Sequence, residues 1–400
     1  MLRSAKLFGR ASRRAKLFRS GRASSSSPSR AQSMEQNLIS QIYLHSNFPV
    51  REVDLSRLTD MTKDPSADTL IESARILQEE VPIRISRRIV ALEGLPSKML
   101  SHPSIHKLKQ KLIHSFAKLK DASPVVDQAS EREYMILQQS IRDEHADMYN
   151  LLVDALIASG DNAENSTVTG IIDSFYSSRI GLRMLIDHHN AIKRQISSGS
   201  NLVGIIDDTL NPFEAIEDMI PDVRSCCEAN FGVSPKIVLD GSYKDFQFSY
   251  VRDHVERIMY AILLNASRAT AQYHHIANNG DDLPDVRVLV AGDETGCTIR
   301  VNDEGGRLLS WNNVDDLFKY SSTLSHSSAD NVDPLTASAI DFGIRSLDEN
   351  YVLASSASVR GFGLPMSRLY ARYFGGDLRV VPVASHGNDT YVYLNTLVKM

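Results

Sequence analysis

Near residue 203 the spacing of apolar residues changes, and that change limits the folds open to this chain. Up to about residue 200 the apolar positions recur at helical spacing, separated by short polar joints. Ser66-Ala67-Asp68 opens a run containing Leu70, Ile71, Ala74 and Leu77. Val81-Pro82 interrupts it, and a second run (Ile83, Ile85, Ile89, Leu92) ends at Gly94-Leu95-Pro96. Pro103 opens the next helix, with Ile105, Leu108, Leu112, Phe116 and Leu119 on one face. Two longer patterns, about 129–159 and 165–197, are split by Gly160-Asp161-Asn162. Long amphipathic segments with short joints predict an up-down helical bundle over residues 35–200.

From about residue 203 β-like runs alternate with helices. Phe246 to Tyr250 alternates at period two, and a long helix follows to about His275. Val286–Val290 and Cys297–Val301 read as paired strands around Gly292-Asp293-Glu294. Residues 319–360 are Ser-rich and aperiodic, which predicts a mobile loop. A helix at about 362–374 and strands at 377–383 and 390–398 close the chain. The expectation for residues 203–400 is an α/β sandwich, one mixed sheet with helices on one face.

Charge is distributed unevenly. Residues 1–34 carry Arg3, Lys6, Arg10, Arg13, Arg14, Lys16, Arg19, Arg22 and Arg30 and no acid, so a segment of +9 precedes a remainder of −14 in a chain of net −5. With its Ser24–Ser27 run and interspersed Leu2, Leu7, Phe8, Leu17 and Phe18, this start has the composition of a mitochondrial transit peptide. A basic tail that meets nucleic acid or membrane is the alternative, and the acidity of the rest argues against nucleic acid. No apolar run approaches the roughly 20 residues that span a bilayer, so the mature protein is expected to be soluble. Cys226, Cys227 and Cys297 show neither zinc spacing nor a disulfide framework. The histidines show no metalloprotease-type spacing. His188-His189 reads as a helix pair near an Asp, with a phospho-accepting histidine as the alternative.

Three short elements in the second half carry chemistry. On the helix after residue 252, Val255, Ile258, Met259, Ile262, Leu263 and Ala266 form the buried face. Arg257, Ala261, Leu264, Asn265 and Arg268 form an adjoining stripe. Asn302-Asp303-Glu304-Gly305-Gly306 ends a strand, where glycines let backbone approach a ligand. Arg360-Gly361-Phe362-Gly363-Leu364-Pro365 opens a helix, whose free N–H groups suit phosphate. Each signal is weak singly, since a lone helical Asn is commonly a surface residue and DxGG commonly a turn. Their order is specific. Asn-bearing helix, strand-DxGG, loop, GxG-helix, then a strand after Gly387-Asn388-Asp389 resembles the ATP-binding fold of gyrase, the histidine kinases and the MutL-type ATPases.

The runs Phe175-Tyr176-Ser177-Ser178-Arg179-Ile180-Gly181-Leu182-Arg183-Met184-Leu185-Ile186 and Leu364-Pro365-Met366-Ser367-Arg368-Leu369-Tyr370-Ala371-Arg372-Tyr373-Phe374-Gly375-Gly376-Asp377-Leu378 narrow the resemblance. With Glu80-Val81-Pro82-Ile83-Arg84, His145-Ala146-Asp147 and Asn265-Ala266-Ser267-Arg268-Ala269-Thr270, they resemble the mitochondrial kinases of pyruvate and branched-chain 2-oxoacid dehydrogenase over about residues 36–398. The resemblance implies a four-helix bundle followed by an ATP-binding domain, and phosphorylation of serine on the E1 subunit in the mitochondrial matrix. It also implies partnership with the E2 lipoyl domain, and a homodimer or a heterodimer with a related kinase. By position it assigns Mg²⁺ to Asn265, the adenine amino group to Asp303, the turn beneath it to Gly305 and Gly306, and the phosphates to Gly361 and Gly363. Phe362 and Leu364 lie in the same phosphate-facing run, and Arg268, Ser322 and Thr323 fall where the family also meets nucleotide. Phe175, Arg179 and Arg183 match bundle positions and are expected to pack rather than catalyse.

The departures from the family concern catalysis. The family stripe reads His, Glu, Lys, Asn where this chain has Arg257, Ala261, Leu264 and Asn265. The expected general base is therefore an alanine, and a leucine stands where a lysine would neutralise phosphate. Loss of a base costs about 10²–10⁴-fold, while positioning and electrostatics alone sustain part of a phosphoryl transfer. His254 is the nearby candidate for a substitute base, though seven residues from Ala261 is about 10 Å along a helix. Val359 and Arg307 replace glycines of the phosphate loop and of DxGGG, and the chain ends at Met400 without the tail that pyruvate-type members exchange. Two functions follow as expectations: a serine kinase of a 2-oxoacid dehydrogenase complex, or a pseudokinase that binds nucleotide and regulates or scaffolds an active relative.

Overall fold

A computed structural model describes residues 30–50, 58, 60–62, 65–160, 166–198, 205–241, 244–276, 282–306, 314–320, 363–383 and 386–397. The chain divides into two compact units, Met1–Gln41 and Ile42–Met400, and the account below concerns the second. The charged start and the loop expected at 319–360 lie outside the described residues, apart from residues 30–34 and 319–320.

After helix α1 (Arg30–Ser46), the helical part comprises α2 (Ala67–Leu92), the short α3 (Ser97–Leu100), α4 (Pro103–Asp121), α5 (Gln128–Glu144), α6 (Met148–Ser159) and α7 (Ser166–Ser198). Helix α2 packs against α4, α5 and α7, and α6 packs against α4. Its start is closed by a reciprocal pair in which Ser66 Oγ accepts from the Thr69 N–H while Thr69 Oγ1 accepts from the Ser66 N–H. The interruption expected at Val81-Pro82 does not occur: α2 runs through Pro82, which is buried in it. A proline there loses one backbone hydrogen bond. Packing of Leu77, Val81, Ile85 and Ile89, each at most 2% exposed, offsets that loss.

The segment expected as one helix over 129–159 is instead two. It breaks at His145–Asp147, where tertiary partners hold the chain. Lys107 and Lys111 bind the Asp147 carboxylate at 3.1 and 2.8 Å, Lys111 also donates to the Glu144 carbonyl, and the His145 ring meets Ser115 Oγ at 2.7 Å. These four bonds to α4 outweigh the continuous helical pattern.

The second half builds a mixed five-stranded sheet in the order β2 (Ile237–Asp240), β4 (Val286–Asp293), β5 (Gly296–Asp303), β7 (Gly387–Asn395), β6 (Asp377–Val383). Among the described strands only β2 and β4 pair in parallel. A separate antiparallel pair joins β1 (Asp207–Leu210) to β3 (Phe248–Tyr250), with α8 (Pro212–Glu217) and α9 (Ile220–Phe231) between them in sequence. Alternate residues of the sheet are buried (Val286, Val288 and Val290 on β4; Cys297, Ile299 and Val301 on β5), as period-two strands with one covered face require. That face is covered by α10 (Arg252–Ala271), packed on β4 and β5, and by α11 (Gly363–Tyr373), packed on β6 and β7. Ile258, Met259, Ile262 and Leu263 are the buried stripe of α10. Among the described residues no helix is long and apolar enough to cross a membrane.

Candidate nucleotide site

The site is assembled where β5 ends against α10. Asp303 closes β5 and is 5% exposed. Its Oδ1 accepts from the Gly305 N–H at 2.9 Å and from Asn388 Nδ2 at 3.4 Å. Burial raises this carboxyl above the usual carboxylate range, partly offset by the Gly305 and Asn388 donors. A fixed, partly desolvated carboxylate of this kind suits recognition of one hydrogen-bond donor. Asn388 stands directly across the β5–β7 ladder from Asp303, and its own Oδ1 is buried without a partner. Just outside this pair, Asp389 takes both oxygens to Arg300 Nη2 at 2.8 and 2.9 Å and accepts from Asn302 Nδ2, fixing β5 to β7 at the site's edge.

Gly305 explains how the turn lies so close to the helix. A β-carbon there would fall 2.5 Å from Cβ of Ala269 and 2.8 Å from its carbonyl carbon. Gly306 adopts a φ of 76° beneath the Tyr273 ring. Ala269 lies one helical turn beyond Asn265, so the DxGG turn and the Asn-bearing stripe share one end of α10. Asn265 is exposed and Arg268 half-buried.

The other end of the stripe is different. Gly363 begins α11, and a β-carbon on it would stand 3.8 Å from Cβ of Ala261. The N-terminus of α11 therefore faces the stripe at the position of the missing carboxylate. Ala261 is 2% exposed and Leu264 7%, so this surface is apolar and closed. Leu364 is half-buried beside Gly363. Arg307, Ser322, Thr323, Val359, Gly361 and Phe362 lie outside the described residues.

Arg257, where the family has histidine, is held by its neighbour four residues back. Asp253 receives Nε at 2.7 Å and Nη2 at 2.9 Å. Burial works against this guanidinium, yet Asp253, Tyr370 and Asp187 together keep it above its ordinary value. Across from it on α7, burial raises the Asp187 carboxyl and lowers Arg183. Arg257 thus belongs to a charged junction of α7, α10 and α11. The pairing with Asp253 was readable as an i, i+4 spacing, and the role of Asn388 only from strand register.

His254 is buried among Tyr370, Phe374 and Tyr373, with ring centroids at 4.8, 5.5 and 6.4 Å. Burial lowers its pKa to about 4. His188 and His189 are 2% and 0% exposed within α7, and His189 Nε2 pairs with Glu131 Oε1 at 3.0 Å. Neither ring is open to a phosphoryl donor. Among the described residues no group of three His, Cys, Asp or Glu side chains could hold a metal.

Known proteins are similar to this chain in sequence. A family described as mitochondrial branched-chain alpha-ketoacid dehydrogenase kinase matches residues 52–207. The mitochondrial pyruvate dehydrogenase (acetyl-transferring) kinase of Arabidopsis thaliana is 29% identical over 365 residues, covering 90% of this chain and 95% of that protein. Its counterpart in Schizosaccharomyces pombe is 26% identical over 90% of this chain and 97% of its own length. Isozyme 3 of Homo sapiens is 25% identical over 91% and 87%. Similarity across nine-tenths of the chain to proteins from a plant, a yeast and a mammal, together with the match over residues 52–207, supports one relationship: the chain is similar to the mitochondrial pyruvate and branched-chain 2-oxoacid dehydrogenase kinases.

Proposed function

We propose that this protein binds ATP with Mg²⁺ and phosphorylates serine on the E1 subunit of a mitochondrial 2-oxoacid dehydrogenase complex. The carrying observation is the buried Asp303 carboxylate, held by Gly305 and Asn388 in a turn that only glycine lets lie against α10. Its free acceptor capacity, with the orphaned Asn388 Oδ1, fits the exocyclic amine of adenine. The order of elements supports an ATP-binding domain of the gyrase and histidine-kinase type over residues 203–400, after a helical domain at 35–200. Mg²⁺ keeps most of its water and takes few protein ligands beside phosphate oxygens, so Asn265, exposed at the same end of α10, fits as a single protein ligand. Bound there, the ion would neutralise charge on the β- and γ-phosphates. Residues 1–34 would deliver the chain to the matrix, which import of a reporter carrying them would test. The relatives named for the pyruvate complex support E1 as the substrate. The E2 lipoyl domain and a dimer of kinase subunits belong to the same proposal.

In the transfer itself the serine oxygen attacks the γ-phosphorus while the bond to the bridging oxygen breaks, ADP leaves with that bond's electron pair, and the hydroxyl proton passes to water. The amide end of α11 beside Gly363 would stabilise phosphate charge. Ala261 cannot take the proton, so transfer proceeds without a base from α10, at a rate set by positioning. The same closed surface, Ala261 and Leu264, favours the second reading, a nucleotide-binding pseudokinase that regulates an active relative. Transfer of ³²P from ATP to purified pyruvate and branched-chain E1, with nucleotide binding measured in parallel, separates the two. Transfer establishes the kinase and binding without transfer the pseudokinase. Absence of both would reject the site.

A further inference from the structure

Helix α11 presents its first residue to the proposed nucleotide site, while its body is fastened to the turn at 314–318 and to α7. The short 3₁₀ turn Val314–Phe318 packs on α11. There the Arg368 guanidinium lies 4.1 Å from the centre of the Phe318 ring and also binds Asp377 at 3.1 Å. Two residues on, Tyr320 is 1% exposed and its hydroxyl donates to Asp173 Oδ1 of α7 at 2.7 Å. The Tyr320 ring rests against Tyr176, again on α7, at 6.3 Å. A second fastening lies further along the same helix. Gly181 has no side chain, and a β-carbon there would collide with the Tyr373 hydroxyl and stand 2.7 Å from Arg84 Nη1. Tyr373 is the last residue of α11. Asp173 and Gly181 are eight residues apart, about 12 Å along α7.

We infer that Asp173 and Tyr320 are positioning residues for the nucleotide: α7 holds α11 at two points and so sets where the α11 N-terminus stands over α10. The inference rests on the nucleotide reading above. None of these side chains touches the site as described, so their effect passes through the placement of α11. A hydrogen bond from a buried phenol to a carboxylate is a strong fastening, because the acceptor carries charge in a dry setting. Occupancy of the site is then felt on α7, in the helical part, as well as at the sheet.

The full-length chain with Mg²⁺ and a fluorescent ATP analogue provides the test. Tyr320→Phe keeps the ring and removes only the hydroxyl, and its affinity is expected to fall by about ten-fold. Gly181→Ala displaces Tyr373 by a different route and is expected to weaken binding in the same direction. Asp173→Asn keeps an acceptor for the phenol and should retain the affinity that Asp173→Leu loses. Tyr134→Phe loses a buried hydrogen bond with Gln138 on α5, away from α11, and should leave binding unchanged at a similar cost in melting temperature. Amide exchange adds an independent readout: ATP should slow exchange around residues 173–178 in the unaltered chain and not in Tyr320→Phe. If Tyr320→Phe and Gly181→Ala bind the analogue as the unaltered chain does, the inference falls and the nucleotide site stands. Should Tyr320→Phe fail to fold, Gly181→Ala and the Asp173 pair decide the question. If the unaltered chain binds no analogue, the nucleotide reading fails and takes this inference with it.

Discussion

One helix serves both ends of the proposed site, and its two ends have diverged differently. The later turns of α10 carry exposed Asn265 and, at Ala269, the surface on which the Asp303–Gly305 turn is laid. Everything there suits a polar ligand, with a buried carboxylate, an orphaned amide oxygen and a close-packed glycine. The earlier turns carry Arg257, Ala261 and Leu264. Here the polar groups are either spent on each other, as in Asp253–Arg257, or replaced by the Ala261 methyl under Gly363 and the buried Leu264 side chain. In the proposed function, binding and transfer would sit on adjacent turns of one helix and could be lost separately. Within α10, the departures from the family pattern lie on the turns that would move a proton and neutralise phosphate.

The strongest way to break this contrast is to restore the early turns. Ala261→Glu with Leu264→Lys and Arg257→His should raise ³²P transfer to E1 by at least about 10²-fold, the lower end of a general base's worth. The new carboxylate would lie beside the N-terminus of α11, which favours its ionised form. Arg257→His also releases Asp253, whose side chain is 40% exposed, so a loss of about 1 kcal/mol in stability is expected rather than unfolding. High transfer by the unaltered protein, indifferent to all three changes, would show that the early turns are not the catalytic end.

At the other end, Asp303→Asn and Gly305→Ala should part company. Asparagine keeps an acceptor for the Gly305 N–H but turns a donor or a weaker acceptor toward adenine, so ATP affinity should fall by about 1–3 kcal/mol. Stability should hold or rise at neutral pH. Asp303 has a folded pKa above its unfolded one, so its carboxylate opposes folding once pH exceeds the unfolded value, and removing the charge removes that opposition. Gly305→Ala instead presses a methyl into the backbone of α10 and should lower both affinity and stability, the latter by about 1–3 kcal/mol. Calorimetric affinities paired with thermal melts check both, and equal stability losses would mean that Asp303 is structural.

Much of this was legible in the sequence because it rests on local periodicity. The strands around Gly292, the one-sided α4 and the α10 stripe all follow from spacing within a single element. The exceptions share a cause, which is that partners distant in sequence override a local signal. Pro82 does not stop α2, because helices on several sides bury its neighbours. The helical pattern of 129–159 breaks at His145, because Lys107, Lys111 and Ser115 of α4 bind the break. In the site, Asp303 and Gly305 carry a short motif and could be named in advance. Asn388 acquires its place only from the register of β7 against β5, and the Arg183–Asp187–Arg257 junction only from the charges that the fold brings together from α7 and α10. Spacing within one segment cannot encode either.

The smallest expected effect concerns His254, which is where the contrast between the ends could still fail. A substitute base on the early turns would have to be this ring, four residues and one turn before Ile258. Its surroundings argue otherwise: three aromatic rings enclose it, and Nδ1 has no partner. His254→Phe fills a similar space without a base. In the restored triple variant it should change transfer by no more than about three-fold, against the 10²–10⁴-fold cost of losing a general base. Its signature should appear in stability instead. The imidazole falls from 6.5 to about 4 on folding, so between those values the unfolded chain binds the extra proton. Stability from the neutral ring is complete above pH 6.5 and lost as pH falls toward 4, with a slope of up to about 1.4 kcal/mol per pH unit. His145 and His188, lowered by burial to about 3 and about 4, add to the same acid lability. Melting curves across this range should therefore be less steep in pH for His254→Phe than for the unaltered chain. A collapse of transfer with an unchanged pH slope would reverse the assignment and make His254 the proton acceptor.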